Sequence, residues 1–153
     1  MTEQAPVLII GYGNPLRRDD GIGWVVAQRL ANDLDAHAVQ VVACHQLTPD
    51  LAEPVSRAAQ VIFIDARADG MAGQVSCQWL PPDLTALPTS AHHLTPAALL
   101  AWSSALYGAS PGAAWVISVN GACFDYGEGF SPAVTAALPV LVNLVAQHIA
   151  ISV

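Results

Sequence analysis

Continuous apolar runs, separated by segments with helical spacing, are the feature that most restricts how this chain can fold. The runs cover residues 6–10, 38–44, 60–65 and 114–119. Such runs are typical of strands buried on both faces of a parallel sheet. A further strand is predicted at residues 74–80, where apolar and polar residues alternate as in an edge strand. The pattern predicts an α/β fold, a three-layer sandwich with a mostly parallel twisted sheet of about five strands and helices on both faces.

Length and composition limit the domain organisation and the partners. A chain of 153 residues has the size of one domain, so we expect a single α/β domain over residues 1–153. The formal net charge is -7, and all 5 basic residues are arginines, which argues against nucleic acid and anionic membranes as partners. We expect no basic leader segment and no run of membrane-spanning length, and therefore a cytoplasmic location.

The 3 cysteines are Cys44, Cys77 and Cys123, and they form no Cys-x-x-Cys pair. An odd number of widely spaced cysteines predicts free, buried thiols with structural roles. Cys44, next to His45, is the best candidate for a reactive thiol, but no activating arrangement surrounds it in the sequence.

A glycine-rich stretch, residues 11–23, connects the first predicted strand to the first predicted helix. Sites in open α/β sheets are built beyond the carboxyl ends of strands, at this kind of position. A dinucleotide-binding loop would need glycine in place of Leu16, and a P-loop would end in Gly-Lys-Ser or Gly-Lys-Thr. The adjacent carboxylates of Asp19 and Asp20 would also repel a phosphate. We therefore exclude nucleotide binding by this loop.

Asp19 and Asp20 have two interpretations. Either side chain could cap the following helix by accepting its free N–H groups. One aspartate is enough for a cap, and a second carboxylate held nearby favours a bound cation or a shared proton. A helix cap and a cation site both remain open from these residues alone.

Further metal-binding side chains are predicted at the same edge of the sheet. Asp65 ends the third predicted strand, and His92 precedes a helix that begins at Pro96. Because parallel strands end at one edge, we expect Asp65, His92 and one or both of the adjacent Asp19 and Asp20 to converge there. Two carboxylates and one imidazole suit a borderline divalent metal such as nickel, zinc or manganese, with open coordination positions.

Each of these residues also has a structural interpretation. Asp65 could cap the turn after its strand, and His92 could be a loop histidine bonded to backbone. His93 points away from His92 and is not needed as a ligand. The other histidines are expected to be incidental, although His45 lies close enough to the same edge to support a metal ligand.

The sequence offers no familiar nucleophile. It contains neither the Gly-x-Ser-x-Gly elbow nor a His-Glu-x-x-His motif. A hydrolase with this sequence would therefore use a metal or paired carboxylates to activate water.

Several motifs together resemble the hydrogenase maturation endopeptidases. Residues 11–23 read Gly-x-Gly-Asn-x-Leu-x-x-Asp-Asp-Gly-x-Gly, which is similar to the opening signature of that family. Asp65-Ala66 matches the end of its third strand, and Ser90-Ala91-His92 matches a Ser-x-His before a helix. Residues 127–132 resemble a late Gly-x-x-Leu-Ser-Pro segment. The resemblance extends over nearly the whole chain.

The resemblance implies an aspartic-type endopeptidase that removes a C-terminal extension from the large-subunit precursor of a nickel–iron hydrogenase, after nickel insertion. The metal-contacting residues of the family correspond to Asp20, Asp65 and His92, the first of which is glutamate in some members. The nickel belongs to the substrate, so no permanent cofactor is expected, although zinc or cadmium could occupy the site.

The resemblance does not settle the chemical mechanism of cleavage. Asp20 and Asp65 are the best candidates for catalytic residues, and Asn14, Asp19 and His93 are candidates to support them. Two other functions stay open: a self-contained metallohydrolase with its own zinc or manganese, and a non-catalytic nickel-checking module that binds the large subunit without cleaving it.

Overall fold

The computed structural model describes residues 6–81 and 94–152, with side chains as far as Ile149. The strands are β1 (Val7–Tyr12), β2 (Val39–Cys44), β3 (Gln60–Arg67), β4 (Val75–Trp79) and β5 (Ala113–Asn120). The helices are α1 (Ile22–Asp33), α2 (Ala52–Arg57), α3 (Pro96–Tyr107) and α4 (Pro132–Ser152). Short 3-10 helices precede α1 and α2, at Arg18–Gly21 and Pro49–Leu51.

The strands form one 5-stranded sheet in the order β2-β1-β3-β5-β4. β1 pairs parallel with β2 and β3, and β3 pairs parallel with β5. β4 is antiparallel to β5 and stands at the edge of the sheet. The predicted mostly parallel sheet with an alternating edge strand is confirmed. The carboxyl ends of β1, β2, β3 and β5 consequently meet at one edge of the sheet.

Helices cover both faces of the sheet, which confirms the predicted three-layer arrangement. Alternate residues of β1 and β3 face opposite layers, as the two-residue period of a strand requires. Val7 and Ile9 pack with α1 and α4, whereas Leu8 and Ile10 pack with α2 and α3. We call these sides the α1/α4 face and the α2/α3 face. Because both faces of the sheet are covered, consecutive residues of the central strands are buried. This explains why these strands are continuously apolar rather than alternating.

Close packing between α1 and the sheet explains the glycines of the stretch from 11 to 23. A Cβ atom on Gly11 would lie 2.0 Å from the carbonyl oxygen of Gly23, and one on Gly23 would lie 2.2 Å from that of Ile64. Gly13 has a φ angle of 142°, which side-chain-bearing residues rarely adopt. These glycines therefore bring the start of α1 against β1 and β3, rather than forming a phosphate-binding loop.

The last helix corrects one prediction from the sequence. The stretch Pro132–Ile149 of α4 spans 18 residues with a mean hydropathy of 1.4, enough to cross a membrane by length and composition. The expectation that no run reaches this length is therefore wrong. In this structure Val134, Leu141 and Val145 of α4 are buried in the core of the α1/α4 face, which accounts for part of the apolar composition.

Candidate active site

A cavity of about 250 Å3 opens at the carboxyl ends of β1, β2 and β3. Asp20 and Asp65, two of the residues predicted to contact a metal, both line it. Asp20 comes from the 3-10 helix that follows β1, and Asp65 comes from β3 itself. The other lining residues are Tyr12, Gly13, His45, Gln46, Leu47 and Leu94. The structure thus brings the two carboxylates to one opening at the edge where ligands bind in α/β sheets.

Asp65 lies two residues before the end of β3, rather than at its end as predicted, and shares the α2/α3 face with Tyr12. The Tyr12 hydroxyl donates a hydrogen bond of 2.8 Å to Asp65 Oδ2, and the Ala66 N–H donates one of 2.7 Å to Asp65 Oδ1. Burial and, to a lesser degree, the charge of Asp20 raise the pKa of Asp65 to about 6, although these hydrogen bonds act in the opposite direction. Asp65 is therefore a carboxyl group that can change protonation near neutral pH.

Tyr12 is a site residue that the sequence analysis missed. Burial, together with the charge of Asp65 and the hydrogen bond to it, raises the pKa of the Tyr12 phenol, so the hydroxyl keeps its proton. A signal was available in the sequence. Tyr12 stands two residues beyond Ile10 in an apolar strand, so strand periodicity places the two side chains on the same face. The strand had been predicted to end at residue 10, which hid this relationship.

Asp20 is positioned by the backbone of the glycine-rich stretch. Its Oδ2 accepts a hydrogen bond of 2.8 Å from the Asn14 N–H. The Asn14 side chain in turn accepts one of 2.9 Å from the Leu16 N–H, which closes the loop between β1 and the 3-10 helix. Asn14, predicted to support the site, therefore contacts Asp20 directly through its main chain and shapes the loop through its side chain.

Asp19 has a different role from its neighbour. It is 0% exposed, and its Oδ2 accepts hydrogen bonds from Ala122 N–H (2.8 Å), Cys123 N–H (3.1 Å) and Ser131 Oγ–H (2.8 Å). Its Oδ1 accepts another from the Ser131 N–H, at 2.8 Å. Burial raises the pKa of Asp19, but the hydrogen bonds outweigh burial, and the pKa lies below its ordinary value.

These contacts test one of the two interpretations of Asp19 and Asp20, the helix cap. The residue that caps α1 is Gly21, and no side chain caps that helix end. The interpretation of Asp19 or Asp20 as the cap of α1 is therefore wrong. Asp19 instead ties the loop between β5 and α4 to the 3-10 helix that presents Asp20, and so fixes the position of its neighbour.

The remaining predicted ligand is outside the part of the chain that the structure describes. His92 and its neighbour His93 both fall between residues 81 and 94. Within residues 6–81 and 94–152, no group of three or more His, Cys, Asp or Glu side chains could hold a metal ion. The predicted three-ligand set therefore stays a prediction, of which the structure places the two carboxylates.

His45 also lines the cavity, at the carboxyl end of β2. Its ring meets the half-buried ring of Trp24 on α1 edge-on, with centroids 6.3 Å apart and planes at 63°. The side chain is exposed to solvent. The described part of the cavity thus contains an imidazole. The sequence predicted at most that His45 supports a metal ligand.

The cysteines are free thiols, as predicted, but each is only partly buried, whereas the sequence predicted buried thiols. Burial, and less strongly the charge of Asp50, raises the pKa of Cys44, and burial alone raises that of Cys77. Raised thiol pKa values lower the fraction of the reactive thiolate. Cys77 Sγ lies 3.2 Å from His148 Nε2, but neither thiol has the lowered pKa of an activated nucleophile.

The protein is an α/β protein with a layered sheet and a cavity, lined by Asp20 and Asp65, beyond the carboxyl ends of the strands. No family model matches the sequence, and no curated protein matches it. Its fold is that of the hydrogenase maturation endopeptidases, as solved structures show. The hydrogenase maturating endopeptidase HybD from E. coli superposes with a TM-score of 0.79 at 20% identity, over 95% of this chain and 93% of HybD.

Two further solved structures have the same fold. The nickel–iron hydrogenase maturation protease HycI from Thermococcus kodakarensis has a TM-score of 0.72 at 21% identity, covering 94% of this chain and 92% of its own. The hydrogenase 2 maturation peptidase from a Thaumarchaeota archaeon has a TM-score of 0.71 at 24% identity, covering 94% and 97%. The fold that the sequence resemblance implied is confirmed.

Proposed function

We propose that this protein is a hydrogenase maturation endopeptidase, a peptide hydrolase that removes a C-terminal extension from the large-subunit precursor of a nickel–iron hydrogenase. The observation that carries the proposal is the pair of carboxylates, Asp20 and Asp65, in one cavity at the carboxyl edge of the sheet. The fold is that of enzymes named for this activity. The motifs over residues 11–23, at Asp65-Ala66 and at residues 90–92 support the same function.

The proposed substrate carries its own nickel. In this proposal Asp20, Asp65 and His92 contact that nickel, and the protein holds no permanent metal. Two carboxylates and one imidazole leave coordination positions open for thiolate ligands, which the substrate would supply and which bind nickel more firmly than oxygen ligands do. The isolated site would accept zinc or cadmium only weakly for the same reason.

Peptide hydrolysis needs a polarised carbonyl and an activated water. The substrate's nickel would polarise the scissile carbonyl as a Lewis acid. Asp20 and Asp65 are the described groups that could accept a proton from the attacking water, because both carboxylates reach the cavity. Asp19 and Asn14 support this chemistry indirectly, because they hold the loop that carries Asp20.

Incubation of the purified protein with an unprocessed large subunit, with and without nickel, tests the proposal. We expect a loss of mass from the nickel-loaded subunit alone, measured by intact-protein mass spectrometry, and no loss with Asp20→Asn. Cleavage without nickel, with metal bound stoichiometrically to this protein, would identify a self-contained metallohydrolase. Nickel-dependent binding without cleavage would identify a nickel-checking module.

A further inference from the structure

Cleavage of a peptide bond needs a proton donor as well as a proton acceptor. When water adds to the carbonyl carbon and the C–N bond breaks, the bonding electron pair stays on nitrogen. That nitrogen must gain a proton, because an amide anion is too basic to leave. A carboxylate can take the proton that the water loses, but another group must deliver one to the amine.

The described groups around the cavity leave few candidates for this donor. The Tyr12 hydroxyl is already donated to Asp65, and its raised pKa makes it a poor acid. The amide of Gln46 does not release a proton at neutral pH. Asp20 and Asp65 are needed as acceptor and metal contacts in the proposed function. His45 remains, and its side chain lines the same cavity as the two carboxylates.

The fold places His45 beside the carboxylates. It follows Cys44 directly, and Cys44 is the register partner of Tyr12, the residue that bonds Asp65. His45 therefore lies at the same sheet edge as Asp20 and Asp65, directly after β2, the strand next to β1. The edge-on contact with Trp24 limits the ring's orientation, while its exposure leaves the nitrogen atoms accessible to a substrate. An oriented, accessible imidazole is the usual proton carrier in enzymes.

We propose that His45 is a catalytic residue of this site, whose protonated imidazole donates its proton to the amine that leaves the scissile bond. The inference rests on the proposed function. In one turnover the C–O bond to water forms and the C–N bond breaks, a carboxylate gains the water's proton, and His45 loses one to the amine. The carboxylate and the imidazole then return to their starting states by proton exchange with solvent.

Matched variants separate this role from a structural one. His45→Ala removes the whole side chain, His45→Phe keeps an aromatic ring beside Trp24 without its nitrogens, and His45→Gln keeps a hydrogen-bonding group that does not titrate. His37→Ala is the control, because His37 is an exposed histidine in the turn before β2. Cleavage of the nickel-loaded precursor is followed for each variant, together with its far-UV circular dichroism.

We expect kcat to fall by about 100-fold or more in each His45 variant, with KM changed by less than about 2-fold, since general acid catalysis contributes on this scale. His37→Ala should cleave at the wild-type rate. Added imidazole should restore part of the activity of His45→Ala, which a merely structural residue would not permit. Wild-type cleavage by a folded His45→Phe or His45→Gln, or a rise in KM without a fall in kcat, would overturn the inference while leaving the proposed function in place. Failure of the wild-type protein to cleave would instead overturn the proposed function, and this inference with it.

Discussion

The Tyr12 hydroxyl donates a hydrogen bond of 2.8 Å to Asp65 Oδ2, so a partly buried phenol and a cavity carboxylate on neighbouring strands act as a pair. The bond favours the charged form of Asp65, against the burial that raises its pKa to about 6. Together with the bond from the Ala66 N–H to Oδ1, it fixes the orientation of the carboxylate. The consequences are measurable in a single variant.

Tyr12→Phe should raise the pKa of Asp65 above about 6, because it removes a hydrogen bond that the carboxylate accepts. The acidic limb of the pH–rate profile for precursor cleavage should move upward. The loss in the free energy of unfolding should be about 1 kcal/mol, the usual net value of one hydrogen bond. An acidic limb at the wild-type position, measured with Tyr107→Phe as the exposed control, would show that the pair is not coupled in this way.

Asp65→Asn and Asp20→Asn, like His92→Ala, should each abolish processing and leave the fold intact. For Asp65 the direction of the stability change follows from its pKa. A carboxyl group whose folded pKa is raised stabilises the fold below its ordinary value near 4, and this contribution is lost as pH rises through about 6. Asp65→Asn should therefore hold or gain stability at pH 8, by up to about 2 kcal/mol.

Thermal unfolding at pH 8 and mass analysis of the precursor check these three variants together. Asp33→Asn, an exposed change at the end of α1, serves as the control. Loss of cleavage accompanied by unfolding would identify the substituted residue as structural, and near-normal cleavage would remove it from the site.

Asp19 should show the opposite pH dependence. Its pKa is depressed, so its stabilising contribution is present above the ordinary carboxyl value near 4 and is lost as pH falls below it. Asp19→Ala leaves the N–H groups of Ala122, Cys123 and Ser131 without their acceptor, and should cost about 3 kcal/mol near pH 7. The difference from the wild type should shrink toward pH 3 in chemical denaturation. A difference independent of pH would mean that packing, rather than the charged hydrogen bonds, carries the effect.

Asp19 and Asp20 also show which parts of the site can be predicted from the sequence and which cannot. The layers, the parallel centre of the sheet and the edge position of β4 follow from local apolar patterns, and the carboxyl edge then locates Asp20 and Asp65. The role of Asp19 depends on donors 103 to 112 residues away in the chain. No spacing around Asp19 encodes those partners, so local rules could suggest only a cap of the adjacent helix or a cation site.

His45 was undervalued for a related reason. Its position at the end of β2 was visible, but only the pairing of Tyr12 with Cys44 shows how near β2 lies to the residue that bonds Asp65. Strand neighbours in a parallel sheet are set by crossover topology, which the apolar pattern of an isolated strand does not specify. The sequence therefore identifies the edge of the sheet more readily than the order of residues along it.

Replacement of Cys44, Cys77 or Cys123 by alanine, one at a time, should leave cleavage detectable. Burial raises the thiol pKa of Cys44 and Cys77, which opposes a role as nucleophile. The free energy of unfolding should fall by roughly 1–3 kcal/mol where a partly buried thiol is lost. The assay is precursor cleavage by each purified variant alongside its thermal midpoint. A folded variant without turnover would identify that cysteine as the nucleophile.

The proposed enzyme differs from a metallohydrolase in which protein carries the metal: the substrate in the first case, and the enzyme itself in the second. The purified protein should contain little metal, yet bind added nickel, zinc or cadmium weakly through Asp20, Asp65 and His92, because three ligands without a thiolate gain little affinity. Binding should weaken as pH falls through about 6, where Asp65 takes up a proton. Protonation of His92 should weaken it further, because an imidazole binds a metal only in its neutral form. Elemental analysis and calorimetry measure both quantities, with Asp20→Asn as the comparison.

Calorimetry against the precursor then decides the mechanism. Affinity should be high for the nickel-loaded subunit and fall sharply for the nickel-free one, since the substrate's metal supplies the contacts that the carboxylates make. Equal affinity for the two forms would contradict recognition through nickel, even if the chain cleaves its substrate.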